Sequence, residues 1–164
     1  MPTDAIIESI INSEALIERF DGWPSFHDAE VLAVRLRVEA SGKPCLEADI
    51  HLFTMTDEVD QSGALRLTNH TTATFWFEGV RGLALDGFEF QNVLWDLSIE
   101  DARSDQQEGM DWQVAFEASV GVQATFHCAT IAVLAVAEYV PPSTPPTAHP
   151  DGIQSGPRPG SFGG

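Results

Sequence analysis

The spacing of apolar residues changes near residue 30, and this change constrains the fold more than any other feature of the sequence. Over residues 6–20, apolar residues recur at the three- and four-residue intervals of a helix. Over 32–38 and again over 46–52 they alternate with polar residues, which is the period of a strand with one buried face. Residues 41–44, Ser-Gly-Lys-Pro, form a turn signal between these two runs. The pattern predicts a helical N-terminus followed by a β-hairpin.

The helical segment carries signals for its own ends. Ser13 followed by Glu14 predicts an N-terminal cap, and Asn12 with Ser13 allows the segment to divide into two short helices. The Asp-Gly-Trp-Pro sequence at 21–24 should end it, because Gly22 can adopt a left-handed turn and Pro24 cannot continue a helix.

Further strands are predicted beyond the hairpin. Residues 56–67 are polar and indicate a loop. Strand-like runs follow at 71–77, 80–85, 88–99, 112–116 and 123–138, the last as one or two strands. The sequence therefore predicts an α+β domain, in which an N-terminal helix or two short helices pack on a mostly antiparallel sheet of about six to eight strands.

The composition changes after residue 140. Residues 141–164 are dominated by proline and glycine and contain few apolar side chains. Such a segment cannot offset the entropy cost of becoming ordered. We therefore expect a single domain over 1–140 and a flexible tail over 141–164, whose removal should leave the melting temperature nearly unchanged.

The charge balance restricts the classes of partner. The chain has 25 acidic and 8 basic residues, for a net charge of −17. Such a surface repels phosphate backbones and anionic lipid head groups, which argues against nucleic-acid and membrane partners, whereas it attracts a basic protein. The first residues lack the basic region of a secretory signal, and the longest apolar run, 128–137, is too short to cross a bilayer. These features favour a cytoplasmic protein in which Cys45 and Cys128 are reduced, buried thiols.

The densest cluster of functional residue types is Trp-Pro-Ser-Phe-His-Asp-Ala-Glu at 23–30. In a structural interpretation, Trp23 and Phe26 fill the junction between helix and sheet, and His27 or Asp28 bonds backbone amides there. In a functional one, the motif is a binding surface, or His27 works beside carboxylates as a base or metal ligand. We favour the structural interpretation, because a junction of this kind must fix its backbone. The candidate motif residues are Trp23, Pro24, Phe26, His27, Asp28 and Glu30.

Two later segments also stand out. Residues 88–94, Phe-Glu-Phe-Gln-Asn-Val-Leu, predict the beginning of a strand, with Phe88 and Phe90 on one face and Asn92 bonding backbone at a bulge. Residues 96–111 are strongly acidic and indicate a solvated loop, which is also the best candidate for an acidic docking surface. Its acidic residues are Asp96, Glu100, Asp101, Asp105, Glu108 and Asp111.

Three of these strings together resemble a known family. The Trp-Pro-Ser-Phe-His-Asp-Ala-Glu-Val sequence at 23–31, Phe-Glu-Gly-Val at 77–80 and Gly-Phe-Glu-Phe-Gln-Asn-Val-Leu at 87–94 are similar to the bacterial immunity protein 50 family. The resemblance covers roughly residues 15–137 and implies a non-enzymatic protein, without cofactor or catalytic residue, that neutralises a cognate toxin. The acidic charge then favours a basic toxin such as a nuclease, bound through an acidic surface.

Two alternatives from other functional classes remain open. A small metal-dependent enzyme could use His27 and Asp28, provided that His51, His70 and His127 converge with them. A small-ligand-binding cavity within the β-structure could be lined by Trp76, Trp95 and Trp112. Residues 58–69 do not form a calcium loop, because the twelfth position is Asn69 rather than an acidic residue.

Overall fold

The computed structural model describes residues 1–105 and 108–141 of the chain. Two short α-helices precede eight strands, which confirms the predicted α+β class and the division of the helical segment. The helices are α1 Asp4–Ser9 and α2 Glu14–Phe20. The strands are β1 Glu30–Val38, β2 Pro44–Val59, β3 Leu65–Glu78, β4 Arg81–Asp86, β5 Val93–Asp101, β6 Trp112–Val120, β7 Gln123–Cys128 and β8 Thr130–Glu138. A short 3₁₀-helix, Arg103–Asp105, lies between β5 and β6.

The strands form one antiparallel sheet in the order β4-β7-β6-β5-β1-β2-β3-β8. The contact between β1 and β5 is limited to one residue pair in register, Glu30 with Val93. Beyond this pair the two strands diverge. The sheet therefore consists of a first half-sheet, β1, β2, β3 and β8, and a second half-sheet, β5, β6, β7 and β4.

The core lies between the inner faces of these half-sheets. The ring of Phe77 on β3 lies 5.1 Å from that of Phe126 on β7 and 6.1 Å from that of Phe116 on β6, measured between centroids. All three side chains are buried, as is Leu16 of α2. Just after α1, Ile11 pairs with Ala132 of β8 and so covers part of this outer strand.

The two residues predicted to begin and end the second helix, Ser13 and Gly22, do not have the predicted roles. Ser13 has helical backbone angles and makes no side-chain capping bond, so the predicted cap is wrong. At the other end Asp21, with φ 57°, takes the left-handed position instead of Gly22. Aspartate is one of the few residues with a side chain that tolerates this conformation.

The predicted loop over 56–67 is also wrong, because β2 and β3 extend to a turn of only five residues, 60–64. Asp60 closes this turn by accepting hydrogen bonds from the amides of Ser62 and Ala64, at 2.7 and 3.1 Å. The tip of the hairpin is exposed on both faces. Its polar sequence therefore reflects solvation and not loop structure.

Two corrections concern the segment around β5. Phe88 and Phe90 lie outside the strand and are exposed, Phe90 fully, because β5 begins only at Val93. Residues 96–101 belong to β5, so the predicted acidic loop is confined to the stretch after Asp101. The apolar face predicted for β1 is largely exposed, since Leu32, Leu36 and Val38 are exposed and Val34 is partly buried.

Residues 142–164, which include almost all of the predicted tail, lie outside the described residues. Both helices of the described part are far shorter than the length needed to cross a membrane.

Candidate functional site

The motif at 23–30 forms the turn between α2 and β1, and its backbone is held by β5. The amide of Asp28 donates to the carbonyl of Leu94 at 3.0 Å, and the amide of Leu94 donates to Ala29 at 2.8 Å. Asp28 itself has a left-handed backbone, with φ 63°. These bonds join the turn to β5, next to the residue pair through which β1 and β5 contact each other.

Half of the motif points into the core. Phe26 is 2% exposed, and its ring lies 5.8 Å from Phe75 and 5.9 Å from Trp23. Pro24 is also buried. The indole nitrogen Nε1 of Trp23 is buried and has no hydrogen-bond partner within the described part of the chain. This half of the motif fills the junction between helix and sheet.

The other half faces solvent. His27 Nδ1 lies 3.0 Å from Asp28 Oδ2, and both side chains are nearly half exposed. The two side chains thus bond each other, and the backbone amide of Asp28 makes the bond to β5 that we expected from a side chain. The imidazole also packs edge-on against Trp95, with 4.6 Å between ring centroids.

A bulge in β5 explains why Trp95 reaches this position. Leu94 pairs with Ala118 and Asp96 with Glu117, so Trp95 is an extra residue in the strand. Such a bulge re-aims side chains. Leu94 and Leu97 are buried on either side, whereas Trp95 is 59% exposed.

A cavity of about 240 Å³ lies where the turn and the bulge meet. We call it the Trp95 pocket. Its walls include Trp23, Pro24, His27, Trp95 and Asp96, together with the first two residues of the chain. The ammonium nitrogen of Met1 lies 3.3 Å from Asp96 Oδ2.

Asn92 is a buried structural residue beside this site. Its side-chain amide donates to the carbonyl of Glu89, and its Oδ1 accepts from the amides of Glu89 at 2.9 Å and Val122 at 3.2 Å. Asn92 therefore fixes the approach to β5 and ties it to the turn between β6 and β7. Glu30, at the start of β1, is partly buried and pairs with Val93 and His51.

The acidic residues predicted as a docking surface do not form one cluster. Asp96 and Glu100 lie on the outer face of β5, since the intervening Leu97 and Ile99 are buried. Asp101 bonds Arg103, which lowers the pKa of this carboxyl to about 2.

The remaining acidic residues lie after β5. Glu108 is exposed and borders a different cavity, next to Arg81, and Asp111 is partly buried before β6. The side chain of Asp105 lies outside the described residues. Sequence reasoning missed Glu117, which is exposed opposite Asp96 and joins the same outer face. The strand period of β6 was the signal that could have found it.

Comparison with known proteins agrees with the motif. The family model described as Immunity protein 50 matches residues 12–139. The chain belongs to the immunity protein 50 family. No curated protein and no solved structure matches it. Membership of an immunity family implies binding of a toxin partner and suggests a non-enzymatic role.

Of the four histidines within the described residues, His51 and His70 form a close pair. His51 Nε2 lies 3.0 Å from His70 Nδ1, and the ring of Tyr139 stacks on His51 with 3.8 Å between centroids. Burial, and to a lesser extent the neighbouring His70, lowers the pKa of His51. His27 lies instead against Trp95, and His127 is on β7 opposite Arg81. Within the described residues, no group of three histidine, cysteine or acidic side chains is arranged to hold a metal ion.

The described residues also give no support for a nucleophilic cysteine or for the predicted cavity lined by tryptophans. Both cysteines are free and buried, and burial raises the pKa of the Cys128 thiol to about 12, so it is not an activated nucleophile. The three tryptophans proposed to line a cavity do not share one. Trp95 faces solvent, Trp112 is buried, and Trp76 lies on the outer face of β3 between buried neighbours.

Proposed function

We propose that this immunity protein neutralises its toxin by binding it through the acidic outer face of β5 and β6, with Trp95 at one end of the contact. This face contains the acidic residues Asp96, Glu100 and Glu117, and β5 and β6 contain no lysine or arginine. A surface of one sign speeds the approach of a partner of the opposite sign. The toxin is accordingly a basic protein.

The observation that carries the proposal is the exposure of Trp95. A strand bulge directs this large apolar side chain towards solvent, and His27 supports one edge of it. Tryptophan is enriched among the few residues that supply most of the binding energy in an interface, and acidic residues around such an anchor add specificity and association rate. Asp96 follows Trp95 on β5 and pairs with Glu117 of β6, so two carboxylates lie near this anchor.

A nuclease is the toxin class that this charge fits best. An enzyme that binds a phosphate backbone needs a basic surface, and an acidic inhibitor can occupy that surface in place of the nucleic acid. Purified toxin from the neighbouring gene tests this point directly, because a nuclease degrades nucleic acid and the immunity protein should prevent it. Toxicity without nucleic-acid cleavage would exclude the nuclease and leave the immunity function standing.

The immunity function itself is tested by co-expression. Cells that produce the toxin should survive when they also produce this chain, and equal killing with and without it would contradict the proposal.

The binding face is tested by charge reversal. Glu100→Lys and Glu117→Lys should slow association with the toxin, most strongly at low salt. Glu138→Lys on β8 is the matched control, since it makes the same change of charge on the other half-sheet. Equal effects of all three would show that net charge matters and the face does not.

A further inference from the structure

We infer that the Trp95 pocket receives an arginine side chain of the toxin. The inference rests on the proposed function and specifies its central contact. The pocket places an exposed indole, Trp95, next to a carboxylate, Asp96, with Trp23 and His27 completing the walls. An arginine guanidinium is planar, weakly hydrated and able to stack on an aromatic ring while it bonds a carboxylate.

A tryptophan and an aspartate already hold an arginine together at the far end of β5. There the guanidinium of Arg103 lies 5.2 Å from the ring centre of Trp112 on β6 and bonds the carboxylate of Asp101, which pairs with Trp112. At the near end, Trp95 and Asp96 present the same two groups. In the described part of the chain, no arginine or lysine side chain stacks on Trp95 or bonds Asp96.

Asp96 is placed to hold such a cation. Its Oδ1 accepts a hydrogen bond from the amide of Leu97 at 2.9 Å, which fixes the orientation of the carboxylate. Oδ2 is not used in this bond. Oδ2 lies 3.3 Å from the backbone nitrogen of Met1. The side chain of Met1 is 70% exposed, so an incoming guanidinium can displace this contact.

The dimensions favour a single side chain over a small-molecule ligand. The pocket holds about 240 Å³, which is below the roughly 300–1,000 Å³ typical of small-molecule sites. Its aromatic walls match the side chain of an arginine, and its carboxylate matches the guanidinium.

The probe for this inference is N-acetyl-arginine amide, with N-acetyl-citrulline amide as its neutral isostere. The signals of the indole N–H groups are followed by NMR during titration of the full chain. Trp95 and Trp23 should shift with the arginine probe and much less with the citrulline probe, whereas Trp76 and Trp112 serve as internal controls outside the pocket. Equal shifts with both probes, or no shift of Trp95 and Trp23, would overturn the inference.

Two variants show whether Asp96 holds the guanidinium. Asp96→Asn keeps the acceptor for the Leu97 amide but removes the charge, and it should weaken binding of the arginine probe about tenfold or more. Glu138→Gln removes one charge from β8 on the other half-sheet and should change binding of the probe little. If both variants bind the probe alike, the probe senses only the general acidity of the protein, and the pocket is excluded.

The probe experiment requires no toxin, so its failure is separate from failure of the proposed function. A chain that protects cells but ignores the arginine probe binds its toxin by other contacts. A chain that binds the probe but gives no protection retains the pocket and loses the immunity function.

Discussion

The imidazole of His27 packs edge-on against the indole of Trp95, with 4.6 Å between their ring centroids. One residue belongs to the turn before β1 and the other to a bulge in β5, so the contact lies beside the pairing of β1 with β5 that joins the edges of the two half-sheets. The motif that looked structural in the sequence is therefore divided. Its apolar residues fill the core, and His27 supports an exposed aromatic residue on the surface.

Replacement of His27 by alanine is the first test of this division. Because the side chain is nearly half exposed and its polar partner is the neighbouring Asp28, the free energy of unfolding should change by no more than about 0.5 kcal/mol. Loss of its support for Trp95 should weaken toxin binding, by about 1 kcal/mol or more. Chemical denaturation and calorimetry measure the two quantities on the same variant. A large loss of stability with unchanged affinity would return the residue to a purely structural role.

Phe26→Ala should destabilise the fold by about 3–5 kcal/mol, because the ring is buried between Trp23 and Phe75. Phe90→Ala removes the same side chain from a fully exposed position and should cost no more than about 0.5 kcal/mol. Urea denaturation compares the two variants. Similar losses would mean that Phe26 does not occupy the core.

The sequence predicted the fold well where local pattern and tertiary packing agree. The alternation over 46–52 gave both the existence of β2 and its buried face, since Leu46, Ala48, Ile50 and Leu52 all point inward. The prediction from sequence failed where pairing with another strand decides whether a segment forms a strand or a loop. The polar tip of the β2–β3 hairpin is strand because its backbone pairs across the ribbon, although its side chains are those of a loop.

The site was less predictable for the same reason. The bulge at Trp95 is defined by the register of β5 against β6, and no spacing in the sequence indicates which of two neighbouring residues is extra. Phe88 and Phe90 have a composition typical of strands. The bonds made by Asn92 instead hold the preceding chain in a turn, which leaves both rings in solvent.

Gly121→Ala should destabilise the protein more than Gly63→Ala. Both glycines have left-handed backbones, with φ 80° and 86°, so an added methyl group causes comparable backbone strain, of about 1 kcal/mol. At Gly121 the methyl carbon would also lie 2.1 Å from the carbonyl oxygen of Gln91, whereas at Gly63 nothing lies within 4 Å. The extra cost at Gly121 should be about 1–3 kcal/mol in the free energy of unfolding. Equal losses of unfolding free energy in the two variants would show that the chain around Gln91 moves away from Gly121 at little cost.

Stability should fall as the pH is lowered through the range in which histidine titrates, and His51 should contribute to the fall. The pKa of His51 is lowered in the folded protein by burial and by His70, so below about pH 6.5 the unfolded chain binds the proton more readily than the folded one. The contribution of neutral His51 to stability is therefore complete above that pH. It is lost as the pH falls towards the pKa that His51 has in the folded protein. His51→Phe keeps a ring against Tyr139 but removes the titration. In urea denaturation at a series of pH values, the difference in unfolding free energy between wild type and variant should change between about pH 7 and 5. Because the carboxylates are common to both proteins, their own acid effect largely cancels in this difference, and parallel curves would show that His51 does not titrate differently on folding.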